Sequence, residues 1–476
     1  MLILSWAMTT MAQDYMFDKK GNLLPRYRDK YGLLKDEYLP SAREYKNLDS
    51  ALKNPGKVFR LNLSNQNLKQ IPEEVFQLYN LQMLVLSGNE ITEIPNGITR
   101  LTHLQYLSLN DNLIRKINPK ISQLQFLKLI NLETNLIDEI PDQICNLPML
   151  ENLLLGSNNI SYLPENLGNL HKLSNLSLWG NKLNSLPQSF GSLTSLKTLD
   201  LSENLLSSLP ESFSNLRSLI ILNLSDNKFE KFPEPVTGLS NLLYLNLSMN
   251  LITSLPKDIE NLRSLKILDL SDNILRSLPR QIANLPNLFE INLAGNKFET
   301  YPKPLLNLIM INNINLSRNQ LKDIPKNISR YVDLNVLDLS FNYISSLPYS
   351  FCDLVSLEKL NLSHNQITDL PICMYKLTNL RTLKLSHNFL SRLPEVITAL
   401  ENLKELDVSD NSLSSLPDMT LMKNLRILDI RNNSFTQMPD LNGLPKLSIL
   451  RIRGNFIPKD QIAHFVRQHP DIQISW

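Results

Sequence analysis

Hydrophobic residues recur along most of this chain in a pattern of fixed period, in which Leu199, for example, is followed by its equivalent Leu222. Leu199 and Leu201 are separated by a single residue. In a β-strand they therefore point to the same side, while Asp200 and Ser202 point to the other. The pattern predicts one short strand per repeat, with one face in a core and the other face in solvent.

An asparagine follows nearly every predicted strand, and we call the residue at this position the anchor of its repeat. There are 18 anchors, evenly spaced except that the last two intervals are one residue shorter, and 17 of them are asparagine. Because a carboxamide both donates and accepts, each anchor can satisfy backbone groups of its own and of the neighbouring coil. The series comprises Gln66, Asn89, Asn112, Asn135, Asn158, Asn181, Asn204, Asn227, Asn250, Asn273, Asn296, Asn319, Asn342, Asn365, Asn388, Asn411, Asn433 and Asn455.

The second half of each repeat predicts the return of the chain. Leu206 and Leu209 can fill the inside of a turn, Pro210 favours an extended return, and Phe213 closes the far side of the core. One repeat cannot bury its apolar face alone, so adjacent coils must stack. We therefore expect an α/β solenoid, a curved horseshoe with a parallel concave β-sheet and short 3-10 or extended convex segments.

The repeats define the expected boundaries. The solenoid of 18 repeats runs over residues 58–457. Residues 14–57 form a lead-in and a capping helix, which we expect to begin at Ser41 because Ser41 and Glu44 match a capping box. Residues 458–476 form a C-terminal cap, with a helix after Pro458 and a last strand. Both caps would cover the open apolar ends of the stack.

Residues 1–13, MLILSWAMTTMAQ, differ from all that follows. The apolar run and the small residues before Gln13 are typical of a signal peptide, but no basic residue precedes the run. We interpret this segment as a truncated signal peptide, which predicts an exported protein. The alternative is a start at Met8, Met11 or Met16 and a cytoplasmic protein. The run is too short for a transmembrane segment.

Composition excludes several classes of protein. With 48 basic and 46 acidic residues, the net charge of +2 gives no bias toward nucleic acid. The three cysteines argue against a disulfide scaffold, although Cys373 is one repeat from Cys352 and could lie near it. No phosphate-binding loop, zinc-protease motif or nucleophile elbow is present. We therefore expect no enzyme activity, no cofactor and no metal.

The frame LxxLxLxxNxLxxLPxxIxxL resembles the 23-residue class of leucine-rich-repeat proteins. The stretch 48–72, with Gln66 at the first anchor, is similar to the start of bacterial exported members. Intracellular Ras-group members, which act as signalling scaffolds, share the same frame. The resemblance implies a non-catalytic protein that binds another protein on the concave sheet, with a surface glycan as a second class of partner. We expect a monomer.

The side chains six, four and two residues before each anchor should face outward from the sheet. Most are Asn, Asp or Ser, so the apolar exceptions indicate where a partner binds. We call the exceptions near the N-terminus, with the polar residues between them, the N-terminal patch. It comprises Met83, Val85, Tyr106, Asn110, Leu129, Glu133, Leu154 and Trp179. Trp179 suits a binding hot spot.

Three other sets of residues have simpler interpretations. Apolar side chains at the margin between strand and turn would shield the turn; they are Met249, Leu251, Ile274, Phe341, Tyr343 and Phe389. His364, His387 and Asp410 share one position in adjacent repeats, and we interpret them as a solvated rim because donors in a line converge poorly on a metal. The Asn-Leu-Ser triplets arise from the strand pattern, and we assign them to the framework.

Overall fold

The computed structural model describes residues 16–18, 23–308 and 310–476. The expected signal peptide, 1–13, lies outside the described residues. The chain divides into two compact units, the first ending at Lys228 and the second running from Phe229 to Trp476. Each unit is described by itself.

The described part of the first unit contains nine strands, and each described pair of neighbours is parallel. Thr198 of one strand pairs with Ile221, which occupies the same position in the next repeat, so the register of the sheet is the period of the sequence. The strands are β1 Glu44–Tyr45, β2 Arg60–Asn62, β3 Met83–Val85, β4 Tyr106–Ser108, β5 Leu129–Asn131, β6 Asn152–Leu154, β7 Asn175–Ser177, β8 Thr198–Asp200 and β9 Ile221–Asn223.

The second unit repeats this arrangement, with eleven strands among its described residues. Its pairs are parallel too, with Tyr244 opposite Ile267 and Ile449 opposite Gln473. The strands are β10 Tyr244–Asn246, β11 Ile267–Asp269, β12 Glu290–Asn292, β13 Asn313–Asn315, β14 Val336–Asp338, β15 Lys359–Asn361, β16 Thr382–Lys384, β17 Glu405–Asp407, β18 Ile427–Asp429, β19 Ile449–Arg451 and β20 Gln473–Ser475.

Short 3-10 helices occupy most of the returns between strands, commonly directly after the proline of the repeat. In the first unit they are Pro25–Tyr27, Leu39–Ser41, Pro55–Lys57, Glu73–Gln77, Asn96–Arg100, Pro119–Gln123, Asp142–Asn146, Leu167–Asn169, Gln188–Ser192 and Glu211–Asn215. In the second they are Glu234–Gly238, Lys257–Asn261, Arg280–Asn284, Lys303–Asn307, Ile328–Arg330, Tyr349–Asp353, Ile372–Lys376, Glu395–Ala399 and Met419–Leu421. The parallel strands and 3-10 returns confirm the predicted solenoid fold.

The anchors join neighbouring coils through buried hydrogen bonds. Asn204 donates from Nδ2 to the carbonyl oxygen of Leu178 in the preceding coil at 2.9 Å and to that of Leu201 in its own coil at 3.2 Å. Its Oδ1 accepts the backbone N–H of Leu183 at 3.0 Å. The side chains of Leu199 and Leu201 are completely buried beside it. The asparagine anchors therefore satisfy backbone groups that the turn would otherwise leave unpaired. The first anchor, Gln66, is exposed and donates from Nε2 to the carbonyl oxygen of Lys46 at 3.1 Å.

The prediction that a helix begins at Ser41 is wrong. Leu39–Ser41 is a 3-10 turn, and helix α1 spans Leu48–Leu52, where the Asn47 side chain accepts the N–H of Ser50. Glu44 does not cap a helix, because it lies in β1 and its carboxylate accepts from Arg60 at 3.1 Å. Parallel pairing with β2 therefore outweighs the local capping signal.

Two features complete the second unit. Helix α2, Lys459–Gln468, buries Ile462 and Phe465, and β20 follows it.

Cys352 and Cys373, in successive 3-10 segments, form a disulfide with their Cα atoms 5.7 Å apart. The sequence indicated only that Cys373 could lie near Cys352, and it did not predict the bond between them. Within the described residues, neither α1 nor α2 has the length or apolar character needed to cross a membrane.

Candidate binding surface on the parallel sheet

In most coils the side chain four residues before the anchor accepts the backbone N–H of the residue two before the anchor, and we call these two residues a closed pair. Asp200 Oδ1, for example, accepts the N–H of Ser202 at 2.9 Å and its hydroxyl at 2.6 Å. The first residues of these pairs are Asn62, Asn131, Asp200, Asn223, Asn246, Asp269, Asn292, Asn315, Asp338, Asn361, Asp407 and Asp429. Because this contact uses hydrogen-bonding capacity within the coil, the first residues of the closed pairs form part of the framework.

Four coils of the first unit depart from this arrangement. Val85 and Leu154 have apolar side chains at the position of the first pair member, and Ser108 and Ser177 have hydroxyls there. The Ser108 hydroxyl donates to Asn110 Oδ1 at 2.8 Å, while that of Ser177 donates to Glu133 Oε1 at 2.8 Å. The Ser108 bond stays within its coil, whereas the Ser177 bond crosses two coils, and the Ser87 hydroxyl likewise reaches Asn110 of the next coil at 2.6 Å.

Trp179 belongs to the last of these four coils. Its indole nitrogen donates to Glu133 Oε1 at 3.3 Å, although the two residues belong to coils two repeats apart. The indole passes over Gly156 in the coil between them, where an added Cβ would lie only 2.1 Å from Nε1. The missing side chain at Gly156 therefore makes room for the ring, and the hydrogen bond fixes its orientation while part of it stays accessible.

One end of the N-terminal patch is covered by the chain itself. Tyr106 packs against an apolar cluster that includes Leu34 and Leu39 of the lead-in. Burial, together with the carboxylate of Asp36, raises the pKa of Tyr106 to about 12. An ion pair between Asp36 and Lys128 holds the lead-in in place. The accessible end of the patch is therefore the part around Leu129, Leu154 and Trp179.

The structure brings the predicted patch residues together on one surface of the first unit. Met83, Val85, Tyr106, Leu129 and Leu154 project from β3 to β6, and all are partly exposed. Asn110, Glu133 and Trp179 each lie two residues before their anchors and are also partly exposed.

Sequence reasoning missed three residues of this surface, namely Gly156, Ser177 and Ile221. A signal for Gly156 was present, because it occupies the same position in its repeat as Trp179 does in the next one. Ile221 is 41% exposed at the start of β9 and extends the apolar surface.

The second unit carries a different set of outward rings. Phe341 stacks on His364 and His364 on His387, each pair with ring centroids 3.9 Å apart. His387 Nε2 lies 3.4 Å from Asp410 Oδ2. Because stacked imidazoles direct their in-plane nitrogen lone pairs past one another, this column has poor geometry for a metal. Among the described residues, no group of three or more His, Cys, Asp and Glu side chains is placed to hold one.

The other apolar side chains at the margin between strand and turn lie in the coils near the Phe341, His364 and His387 rings or earlier in the chain. Phe389 and Tyr343 are 62% and 51% exposed, and Met249 and Leu251 are likewise exposed. Residues directly before the anchors, including Phe341 and His364, have left-handed backbone with φ near 55°. That conformation is uncommon for a bulky side chain, and the ring stacking compensates for part of its cost.

Cys145, the free cysteine of the described chain, is buried in a 3-10 segment. Burial raises the pKa of its thiol to about 12, with the nearby Asp142 acting in the same direction. The thiol is therefore protonated at neutral pH and is a poor nucleophile. This geometry fits a small buried filler.

Comparison with known families identifies the repeats. The family model described as "Leucine rich repeat" matches residues 57–114, 171–229, 240–298, 310–367 and 401–457. A second model, "Leucine-rich repeat region", matches 96–185. The chain belongs to the leucine-rich-repeat family. A comparison with curated proteins gave no significant match.

Solved leucine-rich-repeat structures from bacteria and plants share the fold. A leucine-rich-repeat protein of Leptospira interrogans is 35% identical, with a TM-score of 0.74, over 91% of this chain and 100% of that one. The ectodomain of the Arabidopsis receptor kinase HAESA, solved with a peptide hormone, is 27% identical with a TM-score of 0.58, over 83% and 74%. An internalin of Listeria monocytogenes is 25% identical with a TM-score of 0.51, over 77% and 90%.

Leucine-rich-repeat solenoids are typically protein-interaction modules, and solved neighbours of this chain include receptor ectodomains with bound peptides. The expected resemblance to bacterial leucine-rich-repeat proteins is confirmed by the Leptospira structure.

Proposed function

We propose that this chain is a non-catalytic binding protein that recognises a protein partner on the accessible end of the N-terminal patch. Leu129, Leu154 and Trp179 supply the apolar contacts, and Glu133 supplies a fixed polar contact. Such a combination of aromatic and aliphatic side chains with a polar rim is characteristic of protein-binding surfaces. The expectation of a monomer remains a prediction.

The observation that carries this proposal is the placement of Trp179. Its ring lies over Gly156 and its N–H is bound by Glu133, so the indole is ordered before a partner arrives. A side chain that is already ordered loses little conformational entropy on binding. In most coils with closed pairs a serine occupies the position of Trp179, and it offers a partner little apolar area.

We further propose that the protein works outside the cytoplasm. The disulfide between Cys352 and Cys373 supports this location, because disulfides persist in oxidising compartments. Cytoplasmic scaffolding of the Ras-group type is the alternative. The mass and location of the native N-terminus, with the thiol state of Cys352, test the choice. A reduced chain inside the cell would favour the scaffold.

The binding surface can be tested with two full-length variants that each replace an outward apolar side chain by a carboxylate. Leu154→Asp changes the patch, and Val336→Asp is the control in the second unit, where Val336 is partly exposed at the start of β14 beside Lys359. Each protein is immobilised and exposed to surface extracts of the producing cells and of the cells they contact. Captured proteins are then quantified by mass spectrometry.

We expect a partner whose recovery falls at least about tenfold with Leu154→Asp and is unchanged with Val336→Asp. Equal recovery with both variants would place the binding surface elsewhere. Loss of capture after enzymatic removal of glycans, with the protein intact, would identify a glycan as the ligand in place of a polypeptide.

A further inference from the structure

In the coils of the first unit that are anchored from Asn89 to Asn227, the outward charges have one sign. We consider the positions six, four, two and one residues before the anchors from Asn89 to Asn227. They contain five carboxylates and no basic residue, the carboxylates being Asp111, Glu133, Asp200, Glu203 and Asp226. The ion pairs of this unit join other residues, namely Arg60 with Glu44, Arg100 with Glu73 and Lys128 with Asp36. At these positions the apolar side chains therefore have negatively charged neighbours and no positively charged ones, and Lys128, which directly precedes Leu129, is paired with Asp36.

The second unit gives the contrasting case. Its corresponding positions carry both signs, and several of these charges pair with one another. Arg431 contacts Asp429 at 2.7 Å and Arg451 contacts the same carboxylate at 3.3 Å. Lys384 lies 3.6 Å from Glu405. A single sign of charge is therefore a property of the coils anchored from Asn89 to Asn227 and does not follow from the repeat pattern.

Glu133 is the carboxylate best placed to meet a ligand. Its Oε1 accepts from both Ser177 and Trp179, so the group is held in one orientation at the centre of the patch. Both of these bonds use Oε1, which leaves the acceptor capacity of Oε2 for a ligand. The indole beside it offers a π face. A carboxylate next to an indole suits a guanidinium or ammonium group, through a charge-assisted hydrogen bond and a cation–π contact.

From this arrangement, and resting on the proposed function, we infer that the occupant of the N-terminal patch is a polypeptide segment that carries Arg or Lys between apolar residues. The cationic side chain meets Glu133 and Trp179, and apolar neighbours contact Leu129 and Leu154. The remaining carboxylates attract such a segment over a longer range. An acidic segment would be repelled by the same charges.

The test is a selection of random peptides displayed on phage against the immobilised full-length chain. Selected peptides are sequenced and synthesised, and their affinities are measured for the unchanged chain and for three variants. Glu133→Gln removes the charge but keeps an oxygen for Ser177 and Trp179. Glu290→Gln is the matched control, because Glu290 in the second unit accepts a hydrogen bond from Asn313. Leu154→Asp reports whether a peptide occupies the patch.

We expect peptides that lose binding with Leu154→Asp to be enriched in Arg and Lys relative to the library. Their affinity should fall about tenfold with Glu133→Gln, the loss of one charge-assisted contact, and should not change with Glu290→Gln. Raising the salt concentration should reduce the difference between the unchanged chain and Glu133→Gln.

Two results would overturn the inference in distinguishable ways. Peptides that need Leu154 but show no enrichment in basic residues, and no response to Glu133→Gln, would contradict the charge assignment and leave the proposed function intact. Peptides that bind the Leu154→Asp chain as well as the unchanged chain would remove the patch as the site, and both proposals with it.

Discussion

The coils anchored at Asn158 and Asn342 share an interior and differ on the outward side. In both, the inward leucines are completely buried and the anchor binds the preceding coil. On the outward side, Asp338 and Ser340 form a closed pair in the second unit. In the first unit, Leu154 presents an aliphatic side chain and Gly156 is covered by the indole of Trp179. The interior is therefore specified by the fold, and the outward positions are free to differ with function.

The largest effect we expect concerns what the two regions share. Leu201→Ala in the first unit and Leu339→Ala in the second should each lower the free energy of unfolding by about 2–5 kcal/mol, because each removes a fully buried side chain. Urea denaturation of both full-length variants measures the loss. An unchanged transition for either variant would contradict the inward assignment of that row.

The next largest effect we expect concerns partner binding, in which the two regions should differ. Trp179→Ala should weaken the binding of an identified partner by about 2 kcal/mol, as expected for a hot spot, without unfolding the chain. Gly156→Ala should also weaken this binding, because the new methyl group displaces the indole that lies over that position. Calorimetric titration gives both affinities. Full affinity in the Gly156→Ala chain would show that the observed orientation of the indole does not matter.

We expect a smaller change in the free energy of unfolding when a closed pair is removed. Asp338→Ala should cost about 1–2 kcal/mol, because it removes the acceptor for Ser340 and for Asn361. Leu154→Asn, at the equivalent position of the patch, should change stability by less than about 0.5 kcal/mol, since Leu154 is partly exposed. Thermal unfolding of the two variants gives the comparison. Equal losses would mean that the closed pairs are not framework.

The smallest effect is a pH dependence in the second unit. Burial, and then the charge of His387, hold the pKa of His364 below its usual value of 6.5, while Asp410 and Asp407 oppose them. The neutral form is favoured in the folded chain, so this contribution is fully present above pH 6.5 and is lost as the pH falls through the lowered pKa. His364→Asn should therefore flatten the decline in melting temperature between pH 7 and pH 5. An identical decline in both proteins would exclude this role.

Much of the fold could be predicted because one short pattern specifies each coil. Leu199, Leu201 and Asn204 give the strand, its inward face and the turn, and stacking requires each neighbour to repeat them. The position of α1 could not be predicted in the same way, because Glu44 was free to cap a helix until Arg60 and β2 were brought beside it. Local signals fail where a contact between distant residues competes with them.

The candidate site was predictable in outline and not in its contacts. The sequence places Leu154 and Trp179 on the outward side, but the contact of Trp179 with Glu133 spans two coils and depends on the gap at Gly156. The cover that the lead-in places over Tyr106 also depends on tertiary packing, which the repeat pattern does not encode. The patch therefore divides into a covered end and an accessible end.

The most direct test of the account is to map where a partner touches the full-length chain. A photo-crosslinking amino acid is placed at Asn152 in the first unit or at Asn313 in the second, both six residues before an anchor and both partly exposed. We expect crosslinks from position 152, to a partner segment containing Arg or Lys, and none from position 313. A partner that binds fully but crosslinks only from position 313 would contradict the assignment of the N-terminal patch as the binding surface.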